Sequence, residues 1–136
     1  HYRPVLPPFA VKGLSSAQIE TIIYAGQSFE RDLAGHYRST NNDLALEEHA
    51  DGAAYRAGFF LGDGTGAGKG RQVAGILMDN WCQGRRRHLW VSKTTTLIED
   101  ARRDWTALGG IGADIRAIND FPLDAPIKLP SGILFT

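Results

Sequence analysis

Gly62-Asp63-Gly64-Thr65-Gly66-Ala67-Gly68-Lys69-Gly70-Arg71 decides how the chain is read. Just ahead of it, Ala57-Gly58-Phe59-Phe60-Leu61 is a short apolar, aromatic run that predicts a buried strand. Just behind it, Val73, Ile76, Leu77 and Trp81 recur at helical spacing, which predicts an amphipathic helix over residues 72–81. Strand, glycine-dense turn, lysine and helix together form the arrangement that cradles phosphates. Glycines let the backbone adopt positive φ and bring its N–H groups close to an anion. The following helix turns unpaired N–H groups and its positive dipole end to the same point. Lys69 adds a mobile point charge. A glycine-rich linker would carry neither flanking element.

The loop departs from G-x-x-x-x-G-K-[ST] at two places. Asp63 stands at the first glycine position, and Gly70 stands where a hydroxyl residue is usual. Residues 63–70 read D-G-T-G-A-G-K-G, which is similar to the D-E-x-G-x-G-K-T form of motif I in Swi/Snf-type translocases of helicase superfamily 2. The missing hydroxyl would normally be an inner ligand of Mg²⁺. A glycine there predicts tight packing or a metal held differently, while a serine placed there should fit the loop chemically.

The chain has 136 residues, the size of one domain with a real core but small for a complete motor. Its 15 basic and 15 acidic side chains cancel, so no global field draws it to nucleic acid and any such contact needs a local patch. The single cysteine, Cys82, excludes an internal disulfide framework. It is expected to be buried or half-buried, and a cytoplasmic setting is expected. No stretch approaches the ~18 apolar residues of a membrane span. The first residue is His1 rather than Met, so the chain is expected to be a piece of something longer.

Residues 1–13 hold Pro4, Pro7 and Pro8 and predict an extended arm. A helix should then open at Ser15 or Ser16, with Glu20 as a helpful capping acid and Ile19, Ile22 and Ile23 on its apolar face. Gln18 lies in the first turn of that helix. In superfamily 2 a glutamine so placed reads adenine; the plainer reading is a surface glutamine. Residues 34–56 are polar. Leu44-Ala45-Leu46-Glu47-Glu48-His49 predicts a short helix with a solvated acidic end rather than an acidic-box strand. His36 and His49 are isolated histidines with no metal-ligand set around them, so no metal site is predicted.

Gly84 should end the motif-I helix, and Arg85, Arg86 and Arg87 suit its negative end. His88-Leu89-Trp90-Val91-Ser92 predicts a strand. Lys93, Thr94, Thr95 and Thr96 then lead, with a threonine cap, into a helix over 97–108. That helix should turn Leu97, Ala101, Trp105 and Leu108 inward and Glu99, Asp100, Arg102, Arg103 and Asp104 outward. Superfamily-2 motors carry motif Ia at this distance, which nominates Ser92, Lys93, Thr94 and Thr95 as a nucleic-acid contact. Capping alone is the other reading of these hydroxyls. Two further strands are expected over 114–119 and 132–136. Alternating strands and helices predict an α/β fold with a mostly parallel sheet and helices on both faces.

Residues 56–71, with Val73-Ala74-Gly75-Ile76 and Leu89-Trp90-Val91-Ser92, resemble the strawberry-notch family of superfamily-2-like P-loop NTPases, whose loop reads G-D-G-x-G-x-G-K-G-R. The resemblance extends over residues 14–136 and is strongest over 56–92. It implies a RecA-like three-layer fold, incomplete at its C-terminal end, and makes Gly70 a family trait. The implied ligand is ATP with Mg²⁺, held by Gln18, Thr65, Gly66, Ala67, Gly68, Lys69, Gly70 and Arg71, with Lys69 catalytic. DNA is the implied track. Bacterial and phage members of the family join such a domain to a DNA methylase.

Hydrolysis in this class also needs an acidic pair on a later strand and arginines from a second RecA-like domain. Residues 94–136 offer no apolar strand ending in such a pair, and Glu99-Asp100 falls within a predicted helix. The metal ligands are therefore expected largely outside this chain, which by itself should not hydrolyse nucleotide. Two functions remain open at this point. One is the ATP-binding portion of a DNA-dependent helicase- or translocase-like motor; the other is a nucleotide-gated scaffold without motor activity.

Overall fold

The computed structural model describes residues 1–40, 45–64 and 66–136. The chain runs without helix or strand to Pro7, and α1 (Pro8–Lys12) then forms, starting at a proline whose fixed φ suits a first helical position. The expected extended arm over 1–13 is therefore corrected: its second half is a helical turn that buries Ala10 completely.

In α2 (Ser16–Phe29) the cap is Ser15, whose Oγ accepts from Gln18 N–H at 3.3 Å while its own N–H donates to Gln18 Oε1 at 3.0 Å. A capping box spans three residues, so Gln18 takes the place expected of Glu20. Glu20 lies further along and accepts from the Tyr24 hydroxyl.

Residues 45–48 form β2 (Ala45–Glu48), paired antiparallel with β1 (Tyr37–Thr40), and not the expected short helix. Four residues are too few to nucleate a helix, whereas pairing with β1 satisfies their backbone at once. All four are exposed, so Glu47 and Glu48 sit in solvent. Leu44 lies outside the described residues.

The strand predicted over 57–61 does not form. Ala57 N–H donates to the Arg31 carbonyl and Gly58 accepts from the Ser28 hydroxyl, but Phe60 is 90% exposed. A strand needs a neighbour to satisfy its backbone, and no described strand lies alongside this stretch.

The phosphate-loop helix α3 (Lys69–Cys82) begins earlier than the predicted 72. Its deepest face is Gln72, Ala74, Gly75, Met78 and Asp79, with the expected Val73, Ile76, Leu77 and Trp81 half-buried at its margins. Gly75 is needed for packing: a Cβ there would lie 2.5 Å from Ile22 Cδ1, so α2 and α3 cross closely at this point. Gly84, at φ +90°, turns the chain out of α3. Cys82 is exposed, contrary to expectation, because it falls on the solvent side of the last turn.

Three parallel strands follow, β3 (Arg87–Trp90), β4 (Ile115–Ala117) and β5 (Gly132–Phe135), in the order β3-β5-β4. Between β3 and β4 lie a 3₁₀ turn (Thr95–Leu97) and α4 (Ile98–Thr106). Ala101, Trp105 and Leu108 are buried as predicted, but Leu97 is 42% exposed because the 3₁₀ turn puts it out of phase with α4. The expected threonine cap makes no side-chain bond to the backbone; Thr94 Oγ1 instead pairs with Thr96 Oγ1 at 2.8 Å.

Ile115, Ile133 and Phe135 from one sheet face join Leu14, Ile22, Ala74, Met78, Trp105 and Leu108 in a single core. Leu89 and Leu134, in register on the other face, border a groove lined by Ile127, Leu129 and Pro130. The architecture is the mixed α/β layer with parallel strands that characterises the RecA-like P-loop fold.

Candidate phosphate-binding site

The loop ahead of α3 takes the backbone its glycines allow. Gly66 and Gly68 have φ of +85° and +73°, and Gly68 is the N-cap of α3 with no side-chain cap. The N–H groups of the first helical turn are thus left for an outside acceptor. Lys69 folds back over the loop, its Nζ donating to the carbonyls of Asp63 at 2.9 Å and Gly64 at 2.8 Å. Thr65 lies outside the described residues.

Gln18 reaches this loop from α2. Its Nε2 stands 2.7 Å from where a Cβ on Gly68 would lie, so Gly68 is required both by its φ and by this approach. The amide is shared, since its oxygen belongs to the capping box.

Gln72, only 2% exposed, supports the loop from below. Its Nε2 donates to Asp63 Oδ2 at 2.8 Å and to the Ala67 carbonyl at 3.2 Å, while its Oε1 has no partner among the described residues. Asp63 is thereby drawn onto α3. Sequence reasoning missed this prop, although Gln72 sits one helical turn after Gly68.

Arg71 points away from the loop. Its Nε donates to Asp104 Oδ1 at 3.2 Å and its Nη1 to the Gly13 carbonyl at 3.1 Å, joining α3 to α4 and to the end of α1. Asp104, expected to face outward, turns in, its side chain 13% exposed, and Arg102 of the same set is half-buried, its Nη2 donating to the Ile115 carbonyl at 3.0 Å. The place of Asp104 one position before Trp105 puts it on the edge of the buried face, which is the signal that could have found it.

Gly70 lies against the Asp104 side chain of α4: a Cβ there would be 2.4 Å from Asp104 Oδ2. The expected tight packing is present. A serine there would meet the Asp104 carboxylate, which would have to turn aside to admit it.

Ser92, two residues past the end of β3, lines a cavity of about 370 Å³ together with Lys69, Gly70, Asp100 and Asp104. Its N–H donates to the Thr136 carbonyl. Lys93, Thr94 and Thr95 are exposed and outside its lining. Gln18, Gly68 and Lys69 are thus brought together at one point, Ser92 shares a cavity with Lys69 only among these three, and Arg71 is turned to Asp104. No group of three potential metal ligands occurs among the described residues, and no described helix is long and apolar enough to cross a membrane.

Comparison with known proteins agrees with this loop. The chain is 39% identical over 128 residues to Protein FORGETTER 1 of Arabidopsis thaliana, covering 91% of the chain and 8% of that protein. It is 36% identical over 123 residues to Protein strawberry notch of Drosophila melanogaster, covering 89% of the chain and 6% of that protein. With Protein strawberry notch homolog 1 of Homo sapiens it shares 38% identity over 108 residues, 79% of the chain and 6% of that protein. The chain spans less than a tenth of the length of these relatives. No solved structure matches it. The sequence model of one family, P-loop containing NTP hydrolase pore-1, matches residues 1–136 from end to end. With that match and the glycine loop at the mouth of α3, the chain belongs to the P-loop containing NTP hydrolase pore-1 family.

Proposed function

We propose that the chain is the ATP-binding portion of a DNA-dependent ATPase of helicase- or translocase-like type, working within a longer, cytoplasmic protein. The observation that carries this reading is the loop itself: Gly66 and Gly68 at positive φ, uncapped N–H groups at the start of α3, and Lys69 Nζ held on two loop carbonyls. Two neutral carbonyls hold an ammonium group weakly compared with a phosphate, so a triphosphate tail draws Lys69 off them. Gln18 contacts the adenine, and Thr65, Gly66, Ala67, Gly68 and Lys69 the phosphates. Gly70 lets the helix start approach, and Arg71 steadies that start by holding Asp104 of α4. Mg²⁺ accompanies the nucleotide and neutralises its charge. Ser92, Lys93, Thr94 and Thr95 contact the strand of DNA from the neighbouring turn, as hydroxyls and backbone N–H groups contact phosphates without reading bases.

The water-orienting acidic pair and the arginines of a second RecA-like domain come from elsewhere in the longer protein, which is of the bacterial or phage methylase-helicase type. This chain alone binds nucleotide weakly and does not turn it over. Titration of a fluorescent ATP analogue into the full-length protein tests the reading. Binding should be lost in Lys69→Ala, and ATP hydrolysis should rise with added DNA. Unchanged binding in Lys69→Ala would refute the phosphate role. Hydrolysis indifferent to DNA would leave a nucleotide-gated scaffold in place of a motor.

A further inference from the structure

This inference rests on the nucleotide reading above and concerns the cation that accompanies the nucleotide. Loops of this type normally carry a hydroxyl directly after the lysine, as an inner ligand of Mg²⁺. Gly70 has no side chain to offer. The space is filled from α4 instead, since Asp104 Oδ2 lies 2.4 Å from an ideal Cβ on Gly70. A carboxylate oxygen thus occupies the volume in which a serine or threonine would stand.

The carboxylate is also oriented. Arg71 Nε takes Oδ1 at 3.2 Å, and Arg71 is itself fixed by the Gly13 carbonyl. Oδ2 is left facing Gly70, with Arg103 Nη2 no nearer than 4.0 Å. Lys69, Ser92 and Asp100 share the cavity into which it opens. A hard cation such as Mg²⁺ takes oxygen donors, and in phosphate-transferring sites it is commonly held through one or two carboxylates plus the substrate phosphates. The donor present therefore fits the ion.

We propose that Asp104 Oδ2 is this chain's ligand for the nucleotide-associated divalent cation, replacing the hydroxyl that Gly70 lacks. Arg71 is then a positioning residue: it fixes the carboxylate by one oxygen and leaves the other for the metal.

The test is binding of a fluorescent ATP analogue to the full-length protein, in EDTA and across a Mg²⁺ titration, with melting curves as a check of folding. In Asp104→Asn the tightening brought by Mg²⁺ should fall by about tenfold or more, with the loss confined to the Mg²⁺ arm. In Gly70→Ser/Asp104→Ala the tightening should return, because the collision is removed and a hydroxyl is supplied. Full Mg²⁺ tightening in Asp104→Asn overturns the proposal. So does an equal loss in EDTA and Mg²⁺, which would make Asp104 only a staple between α3 and α4. If Asp104→Asn does not fold, the double variant decides: Mg²⁺ tightening supports the proposal and its absence overturns it. Wild-type protein that binds no nucleotide in either condition fails the nucleotide reading itself, and this inference with it.

Discussion

Tyr2 donates its phenolic proton to the carboxylate of Asp79, 77 residues along the chain. Asp79 is 1% exposed, and its Oδ1 also accepts from Val5 N–H at 2.6 Å and Gln83 Nε2 at 2.8 Å. No described cation pairs with it; three donors offset its desolvation instead. The first residues of the chain are thereby strapped to the helix that follows the phosphate loop.

Removing the acceptor should cost more than any one of those bonds. Asp79→Ala strands the Val5 N–H and the Tyr2 hydroxyl against the protein, a loss of roughly 2–4 kcal/mol. Asp79→Asn keeps one acceptor oxygen and should lose less. Urea unfolding of the three proteins checks the order.

Alkaline pH should loosen the same strap. Burial, and then the hydrogen bond to Asp79, pushes the Tyr2 phenol up to about 12, from an ordinary value of 10.0. A folded-state value raised above the unfolded one means that the contribution is fully present below pH 10 and is lost as pH climbs towards 12. Tyr2→Phe should be less stable than wild type at pH 8, and the gap should shrink between pH 10 and 12. A gap that stays constant across that window refutes the linkage.

Gly26 is the floor on which the Tyr2 ring rests: a Cβ there would be 2.0 Å from Tyr2 Cε1. Gly26→Ala should therefore destabilise by about 1–3 kcal/mol through overpacking. In a Tyr2→Ala background the sign should reverse, since alanine gains up to about 1 kcal/mol of helix propensity over glycine. The double-mutant cycle measures this directly.

His88 offers an acid-side counterpart. Burial holds its imidazole below the ordinary value of 6.5, outweighing the hydrogen bond to the Arg85 carbonyl. The ring also stacks on Trp81. A depressed value means stability that is present above pH 6.5 and lost as pH falls through the folded-state value. NMR titration should find the imidazole midpoint below 6.5, and His88→Gln should weaken the loss of stability over that range.

What could be read in advance follows from how local each determinant is. The helix after the phosphate loop, the strands at Leu89 and Ile133 and the inward faces of Ala101, Trp105 and Leu108 all rest on periodicity within one segment. Residues 57–61 and 45–48 went the other way. Whether such short runs become strands depends on a partner elsewhere in the chain, and β1 supplies one only to the second. At the site, the glycine conformations and the place of Lys69 were legible from residue type. Gln72 and Asp104 were not, and neither was Asp79 outside it, because a polar residue on a helix signals nothing about the donors it meets in three dimensions. Gly70 lay between these cases: its oddity was visible, and its cause was on another helix.

The approach of α4 to Gly70 leaves a trace that sequence comparison can look for. A chain of this architecture that regains serine or threonine after the lysine must turn aside or shorten the residue corresponding to Asp104, or move α4 outward. Positions 70 and 104 should therefore evolve as a linked pair, and Arg71 should lose its reason to be arginine once the aspartate is gone.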